Sequence, residues 1–171
     1  MSMLDHNAMV FAMNAHNGQF RKYTGEPYIV HCAGVVELVR KCVHTPEMVA
    51  AAWLHDTVED CGVTLATIEE KFGAKVAALV EQLTDVSKPS DGNRAVRKAI
   101  DRAHTAKATW KAKTIKLADL IDNSRSIIER DPEFAKVYLA EKRLLLDEAL
   151  HNEGDRGLWA MADEIVRNAT R

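Results

Sequence analysis

An apolar segment runs directly into a histidine and three acids in the stretch Val49-Ala50-Ala51-Ala52-Trp53-Leu54-His55-Asp56-Thr57-Val58-Glu59-Asp60. A helix that is apolar on every side is buried, so the first six residues predict a buried helix. Because an α-helix has about 3.6 residues per turn, we expect Glu59 one turn beyond His55 and Asp60 one turn beyond Asp56 on one helix. Unpaired charge in a protein interior is costly and is normally paired or metal-bound. The stretch therefore predicts a cation site at the end of a buried helix.

Helical periodicity extends over almost the whole chain. Pro27, Thr45-Pro46-Glu47, Thr64 and Asp131-Pro132-Glu133 are typical helix-start signals, and Asn17-Gly18 and residues 87–93 are typical breaks. Helices are predicted at about residues 4–16, 27–42, 46–60, 64–72, 75–84, 94–108, 111–128, 132–150 and 158–168. No segment alternates as a strand would, and no internal repeat is present. These patterns predict one all-α domain over residues 1–171.

Composition excludes several classes of function. With 23 Lys and Arg against 25 Asp and Glu, the net charge of -2 gives no electrostatic case for binding nucleic acid or a membrane surface. No apolar run approaches the ~18 residues of a membrane span. The three cysteines, Cys32, Cys42 and Cys61, lack CxxC spacing, which favours a reducing cytoplasm. Cys61 follows Asp60 directly, so it is either a metal ligand or, as we favour, a small buried thiol.

Two histidines and a later aspartate are the other candidate ligands. His31 and His55 lie on helices of apolar character, whereas surface or ordinary core positions are expected for His6, His16, His44, His104 and His151. Asp119 shares a helix face with Lys116 and Asn123, where a salt bridge between helices is the alternative interpretation. If Asp119 approaches His55 and Asp56, the set of nitrogen and oxygen ligands suits Mn²⁺, Fe²⁺ or Zn²⁺ without choosing between them.

With a metal present, Glu59 and Asp60 gain a chemical role, because nearby carboxylates can orient and deprotonate an attacking water. The alternative is that they cap a helix or pair with lysines. Two groups of basic residues could bind phosphate by charge-assisted hydrogen bonds. The first is Arg21 and Lys22, and the second is Arg94, Arg97, Lys98 and Arg102. A solvated basic face of a helix also explains the second group. GxxxxGK[ST], GxGxxG and HExxH motifs are absent from the sequence.

The combination of these motifs resembles the HD-domain alarmone hydrolases, which comprise the hydrolase half of the RelA/SpoT proteins and their small stand-alone relatives. The matching stretches are Arg21-Lys22, Pro27-Tyr28-Ile29-Val30-His31, Leu54-His55-Asp56-Thr57-Val58-Glu59-Asp60, and Lys116-Leu117-Ala118-Asp119 with Asn123. They occur in the family's order and span most of the chain. The resemblance implies a single HD-type helical bundle with a buried metal site.

The resemblance also implies roles for individual residues. His31, His55, Asp56 and Asp119 would hold one Mn²⁺, and Glu59 and Asp60 would position and activate the attacking water. The implied substrate contacts are Arg21 on the purine base, Lys22 beside it, Asn123 near the sugar and phosphates, and Tyr138. We add Lys116, which lies in a matching stretch, and Arg97, from the second basic group, to the predicted substrate contacts. The implied reaction releases pyrophosphate from the 3′ position of guanosine tetra- or pentaphosphate, leaving GDP or GTP.

The sequence departs from the family pattern at three places and leaves alternatives open. Cys32 stands where proline is usual after His31, and Leu120 and Asp122 replace a basic residue and a histidine or tyrosine. Asp122 adds negative charge near the substrate face. An adenosine alarmone or a nucleoside monophosphate is therefore an alternative substrate, and a non-catalytic alarmone-binding module is an alternative function. The exposed faces of the last two helices could serve a homodimer.

Overall fold

Ten α-helices follow one another in the computed structural model, which describes residues 1–151 and 153–169. They are α1 (Met3–Ala15), α2 (Ile29–Arg40), α3 (Pro46–Leu54), α4 (Thr57–Asp60), α5 (Leu65–Phe72), α6 (Ala74–Leu83), α7 (Arg94–Ala106), α8 (Trp110–Arg130), α9 (Pro132–Glu148) and α10 (Arg156–Ala169). A short 3₁₀ turn at Pro89–Asp91 precedes α7. Within the described ranges no strand forms, so the predicted all-α class is confirmed.

The helix-start signals act through side chains that accept backbone hydrogen bonds. Thr45 caps α3 by accepting from Met48 N, and Thr64 caps α5 by accepting from Thr67 N at 3.1 Å. Asp131 caps α9 in the same way through Phe134 N, at 3.1 Å. Each contact satisfies a backbone donor that the first helical turn leaves unpaired. Most predicted boundaries consequently lie within two residues of the observed ones.

The predicted single helix through His55 and Asp56 is wrong. The helix α3 ends at Leu54, and α4 begins at Thr57 after a turn. Two side chains take the carbonyls that a continuing helix would use, since His55 Nδ1 donates to Ala52 O at 2.9 Å and Thr57 Oγ1 donates to Leu54 O at 2.7 Å. Such local side-chain bonds compete with the helical ladder. His55 and Asp56 therefore lie in the turn between two helices.

The loop predicted at residues 19–26 is present and is closed by an isolated antiparallel bridge. Phe20 pairs with Pro27, Arg21 N donates to Glu26 O at 2.8 Å, and Tyr28 N donates to Gln19 O at 3.0 Å. This bridge holds Pro27 outside the helix, so α2 begins two residues later than predicted. It also fixes the loop that carries Arg21 beside the start of α2.

The helices α2, α3 and α8 form the centre of the molecule. Every residue from Val49 to Leu54 is buried, as the apolar sequence predicts, and α3 packs against α1, α2, α6 and α8. The long helix α8 contacts α2, α6, α9 and α10 and buries Leu117, Ile121 and neighbouring apolar residues. Among the described helices, none combines the length and the apolar character needed to cross a membrane. The candidate ligands lie where the three central helices meet.

Candidate active site

Four side chains from three parts of the chain converge on one point. His31 comes from α2, His55 and Asp56 from the turn after α3, and Asp119 from α8. The two imidazole Nε2 atoms are 3.3 Å apart, and His55 Nε2 lies 3.0 Å from Asp56 Oδ2. Asp119 Oδ1 lies 3.3 Å from His31 Nε2 and 3.8 Å from His55 Nε2. The structure thus brings together all four residues that the sequence singled out as ligands.

The electrostatics of this cluster favour positive charge. Burial alone would lower the pKa of His55, but Asp56 and Asp119 outweigh it and raise that pKa to about 9. Burial opposes ionisation of Asp119 too, yet Lys116 and the two histidines hold its pKa well below the usual range. The carboxylates therefore stabilise positive charge at this point, whether protonated histidines or a cation carry it. The donor set of two imidazoles and two carboxylates fits a borderline divalent cation.

Hydrogen bonds behind the histidines orient both rings. His55 Nδ1 donates to the carbonyl of Ala52, so its Nε2 is free to act as a ligand. His31 Nδ1 lies 2.7 Å from Asp122 Oδ2, which turns the Nε2 of His31 toward the same point. The sequence identified Asp122 only as an unusual negative charge. Its contact with His31 depends on the packing of α8 against α2, which no local pattern reveals.

Glu59 and Asp60 flank the cluster on α4. Glu59 Oε1 accepts a hydrogen bond from Asp85 N at 2.6 Å. Partial burial of the carboxylate, followed by the charge of Asp85, raises the pKa of Glu59 to about 7. Asp60 Oδ2 accepts from Gln19 Nε2 at 2.9 Å. A carboxyl group that titrates near neutral pH is suited to proton transfer at that pH.

Tyr28 and His16 support the site from the side of α1, and sequence analysis missed both. The Tyr28 hydroxyl donates to Asp56 Oδ2 at 2.5 Å, and the buried His16 ring stacks on the Tyr28 ring with centroids 4.7 Å apart. His16 Nδ1 also donates to Gln19 Oε1 at 2.7 Å, and Gln19 in turn contacts Asp60. Tyr28 could have been found from its spacing, since it stands three residues before His31.

Arg21 lies beside the cluster, and its guanidinium is already engaged. Arg21 Nη1 donates to Asp122 Oδ2 at 2.7 Å, and Nη2 donates to Ser126 Oγ at 3.2 Å. The same carboxylate oxygen therefore contacts both His31 and Arg21. Lys22 points elsewhere, with its amine 4.8 Å from the centroid of the Tyr23 ring. Asp122 fixes the orientation of the arginine that the resemblance assigns to the base.

Lys116 and Asn123 contact the candidate ligand on their own helix. Lys116 Nζ lies 3.6 Å from Asp119 Oδ2, and Asn123 Nδ2 donates to Asp119 Oδ1 at 2.7 Å. The predicted shared face of α8 is therefore present. Burial alone would lower the pKa of Lys116, but Asp119, Asp85 and Glu59 raise it, so the amine stays charged.

Arg97 and Tyr138 lie away from these contacts. Arg97 is half-buried on α7, where its Nε has no hydrogen-bond partner among the described residues. Tyr138 is 7% exposed within α9, and its ring lies under the amine of Lys142. Cys61 is a free, half-buried thiol whose Sγ is 3.2 Å from His16 Nδ1. The geometry gives these three residues no contact with the four converging side chains.

Comparisons with known proteins agree with this geometry. A family model described as an HD domain matches residues 8–145. The guanosine-3′,5′-bis(diphosphate) 3′-pyrophosphohydrolase of Aquifex aeolicus is 34% identical over 161 residues, which cover 92% of this chain and 22% of that protein. The enzyme of the same name from Drosophila melanogaster is 34% identical over 125 residues, which cover 71% of this chain and 68% of that protein. The chain spans about a fifth of the length of the first curated relatives it matches.

Two solved structures share the fold. One, described as a metazoan ortholog of SpoT that hydrolyzes ppGpp, superposes with a TM-score of 0.86 at 29% identity and covers 98% of this chain and 96% of that one. Another, a protein from Listeria monocytogenes EGD-e, has a TM-score of 0.69 at 23% identity, over 86% of this chain and 100% of that one. The second likeness concerns the fold alone. The first extends over nearly the full length of both chains.

Proposed function

This chain belongs to the HD domain family, and from that premise we propose that it hydrolyses the 3′-pyrophosphate of guanosine 3′,5′-bis(diphosphate) with one Mn²⁺ as cofactor. The products are GDP and pyrophosphate, or GTP and pyrophosphate from the pentaphosphate. One observation carries the proposal: the carboxylates of Asp56 and Asp119 each lie 3.0 to 3.8 Å from both imidazoles, beside a carboxyl group whose pKa is about 7. The relatives of the same named activity support it.

The metal-holding role belongs to His31, His55, Asp56 and Asp119. Their nitrogen and oxygen atoms, without a thiolate, suit Mn²⁺ and also Fe²⁺ or Zn²⁺. When bound, such an ion supplies Lewis acidity, which polarises a phosphoryl oxygen and lowers the pKa of water. Hydrogen bonds that the two Nδ1 atoms donate to Ala52 O and Asp122 Oδ2 hold the imidazoles in the tautomer that presents Nε2.

The two acids on α4 have different roles toward the attacking water. Glu59 takes the proton of the water as its oxygen attacks the 3′ phosphorus, because a carboxylate with a pKa near 7 is both ionised and basic at neutral pH. Asp60, held by Gln19, orients the same water. The bond between phosphorus and O3′ breaks, O3′ takes a proton from solvent to become the 3′ hydroxyl of GDP, and Glu59 then returns its proton to solvent. Lys116, charged and next to Asp119, offsets negative charge on the phosphoryl group.

The remaining assignments extend the same proposal. Arg21 stacks on the purine, Lys22 and Arg97 attract phosphate from the rim, and Asn123 and Tyr138 approach the sugar and phosphate region. The helix α10 lies beyond the matched residues 8–145 and packs against α8 and α9, which supports one domain over residues 1–171. The free thiols of Cys32, Cys42 and Cys61 support a cytoplasmic location.

Product analysis tests the proposed function. Purified protein is stripped of metal, supplied in turn with Mn²⁺, Fe²⁺, Zn²⁺ or Mg²⁺, and incubated with ppGpp, ppApp and GMP before anion-exchange chromatography. We expect release of pyrophosphate from ppGpp, fastest with Mn²⁺, and no release by the Asp56→Ala variant. Faster turnover of ppApp would reassign the substrate, and phosphate release from GMP would indicate a nucleotidase. A folded, metal-loaded protein inert on all three would be a binding module.

A further inference from the structure

A polar chamber lies beside the candidate site, between α7, α8, α9 and the segment that follows α6. It has a volume of about 50 Å³. A buried water needs roughly 10–15 Å³ by such a measure, so the chamber has room for a few waters or one phosphate group. Four basic and three acidic side chains line it, together with Thr105 and Leu145: Lys98, Arg102, Lys116, Lys142, Asp85, Asp101 and Glu141.

Three of the four basic residues have carboxylate partners. Lys98 Nζ lies 2.8 Å from Asp85 Oδ2, Arg102 Nε lies 2.6 Å from Glu148 Oε2, and Lys116 Nζ lies 3.6 Å from Asp119 Oδ2. The acids are equally engaged. Asp101 accepts hydrogen bonds from the backbone of Val86 and Ser87 and from Ser87 Oγ, and Glu141 accepts two from Arg94.

Lys142 is the exception. It forms no ion pair with any described residue, and its amine lies 4.9 Å from the centroid of the Tyr138 ring. Burial of the amine, and then the charge of Lys116, lowers the pKa of Lys142 to about 8. An enclosed ammonium without an anionic partner is costly. Among the described residues, Lys142 is thus the one basic residue of the chamber that forms no ion pair with a carboxylate.

Two residues connect the chamber to the proposed hydrolytic site. Lys116 lines the chamber and also contacts Asp119, the candidate ligand on α8. Asp85 lines the chamber, and its backbone N–H holds the carboxylate of Glu59. A phosphate in the chamber would therefore lie next to the proposed water-activating acid. Arg21, which is assigned to the purine base, contacts Asp122 on the His31 side of the cluster. The chamber is therefore placed to bind the end of the substrate that is remote from the base.

We propose that this chamber binds the terminal phosphate of a pyrophosphate group, with Lys142 as its charged hydrogen-bond donor and Lys116 between the chamber and the metal ligands. An ammonium group without a carboxylate partner, beside three further basic groups, favours an anion over water. The identification of that anion as the pyrophosphate released in the reaction rests on the proposed function. The binding itself can be measured with inorganic pyrophosphate alone.

The charged groups that face Lys142 come from every helix packed around it. They are Lys98 on α7, Lys116 and Asp119 on α8, Asp85 after α6, and Glu141 on α9. The two lysines disfavour its charge, whereas the acids favour it. A bound phosphate adds negative charge, so binding raises the pKa of Lys142 above its value in the free protein.

Calorimetric titration tests the proposal. Inorganic pyrophosphate is added to the full chain, first metal-free and then with one equivalent of Mn²⁺. The Lys142→Met variant is compared with Lys136→Met, since Lys136 lies on the same helix but is exposed and pairs with Glu133. A charge-assisted hydrogen bond contributes enough that we expect affinity about tenfold to a hundredfold weaker for Lys142→Met. Lys136→Met should bind as the wild type does. Equal affinity of both variants would overturn the proposal.

A second measurement avoids reliance on the variant's fold. Replacing an unpaired buried ammonium by methionine should not lower the urea midpoint. If it does, NMR titration of the Lys142 side chain in the wild-type protein decides, because bound pyrophosphate must raise its pKa. An unchanged pKa at saturating pyrophosphate contradicts the proposal. If pyrophosphate binding depends on Lys142 but the protein leaves ppGpp intact, the proposed function is refuted and the chamber proposal stands. If the protein hydrolyses ppGpp but pyrophosphate binding does not depend on Lys142, the proposed function stands and the chamber proposal is refuted.

Discussion

Replacement of Gly34 by alanine tests the link between α2 and Asp122. A Cβ at Gly34 would lie 2.3 Å from Asp122 Oδ1 and 3.0 Å from its Cγ, so the carboxylate has to move by about 1 Å to reach ordinary contact. That carboxylate is not free, because its other oxygen is 2.7 Å from both His31 Nδ1 and Arg21 Nη1. The substitution therefore separates Asp122 from at least one of these partners.

Favourable and unfavourable effects together set the change in the free energy of unfolding of the Gly34→Ala variant. Alanine in the middle of a helix is more favourable than glycine by about 0.5–1 kcal/mol. Overpacking costs about 1–3 kcal/mol, and loss of a hydrogen bond to a charged group costs about 1.5–3 kcal/mol. We expect the Gly34→Ala variant to lose about 1–3 kcal/mol of unfolding free energy in urea, and its affinity for Mn²⁺ to fall about tenfold to a hundredfold as His31 loses its orientation.

A double-mutant cycle supplies the control. In the Asp122→Ala background the obstructing carboxylate is absent, so Gly34→Ala should there raise the unfolding free energy by the helical preference of about 0.5–1 kcal/mol. The reasoning is refuted if Gly34→Ala stabilises the wild-type background by that same amount and leaves Mn²⁺ affinity unchanged. Asp122 would then move aside without consequence for His31.

Three further predictions concern single side chains. Because the pKa of Glu59 is raised to about 7, this residue is protonated and inactive as a base below that pH, and kcat should fall about tenfold per pH unit below pH 7. The Glu59→Gln variant should lose at least a hundredfold in kcat with unchanged metal content. A pH-independent kcat would contradict the role of Glu59 as the base. Tyr28→Phe removes the 2.5 Å hydrogen bond to Asp56, so Mn²⁺ affinity measured by competition with a chelator should fall about tenfold, and unchanged affinity would deny Tyr28 a supporting role. The Asp5→Ala variant leaves Trp53 Nε1 buried without its acceptor at 2.9 Å, so the free energy of unfolding in urea should fall by about 1–3 kcal/mol. KM should not change. A change in KM would mean that α1 shapes the site.

Sequence patterns predicted the helices because their causes are local. Thr64 and Asp131 cap helices through bonds to backbone atoms three residues away, and the apolar run before His55 is buried on all sides. The same logic failed at the turn after Leu54, where the side chain of Thr57 competes for a helical carbonyl. A threonine hydroxyl that donates to the carbonyl three residues earlier leaves too weak a pattern to be distinguished from a continuing helix.

The candidate ligands were predictable because their residue types are unusual in an apolar setting, but their supporting contacts were not. Asp122 reaches His31 across 91 positions of sequence, and Gln19 reaches Asp60 across 41. Contacts of this kind exist only after the helices have packed, so no spacing rule anticipates them. That Lys142 has no carboxylate partner among the described residues is likewise visible only in the folded chain.

The arrangement of the four proposed ligands would make metal binding and the packing of α8 one process. His31, His55 and Asp56 all precede residue 60, whereas Asp119 is the only one of the four from the second half of the described chain. Without α8 against α2 and α3, the first three side chains lose both Asp119 and the Asp122 contact that orients His31. A ligand that binds only the packed form stabilises that packing by its binding free energy. Asp119 and Asp122 on α8 are unfavourable without positive charge nearby, so they stabilise the fold through the groups that supply it: Lys116, Arg21, the histidines and the proposed cation.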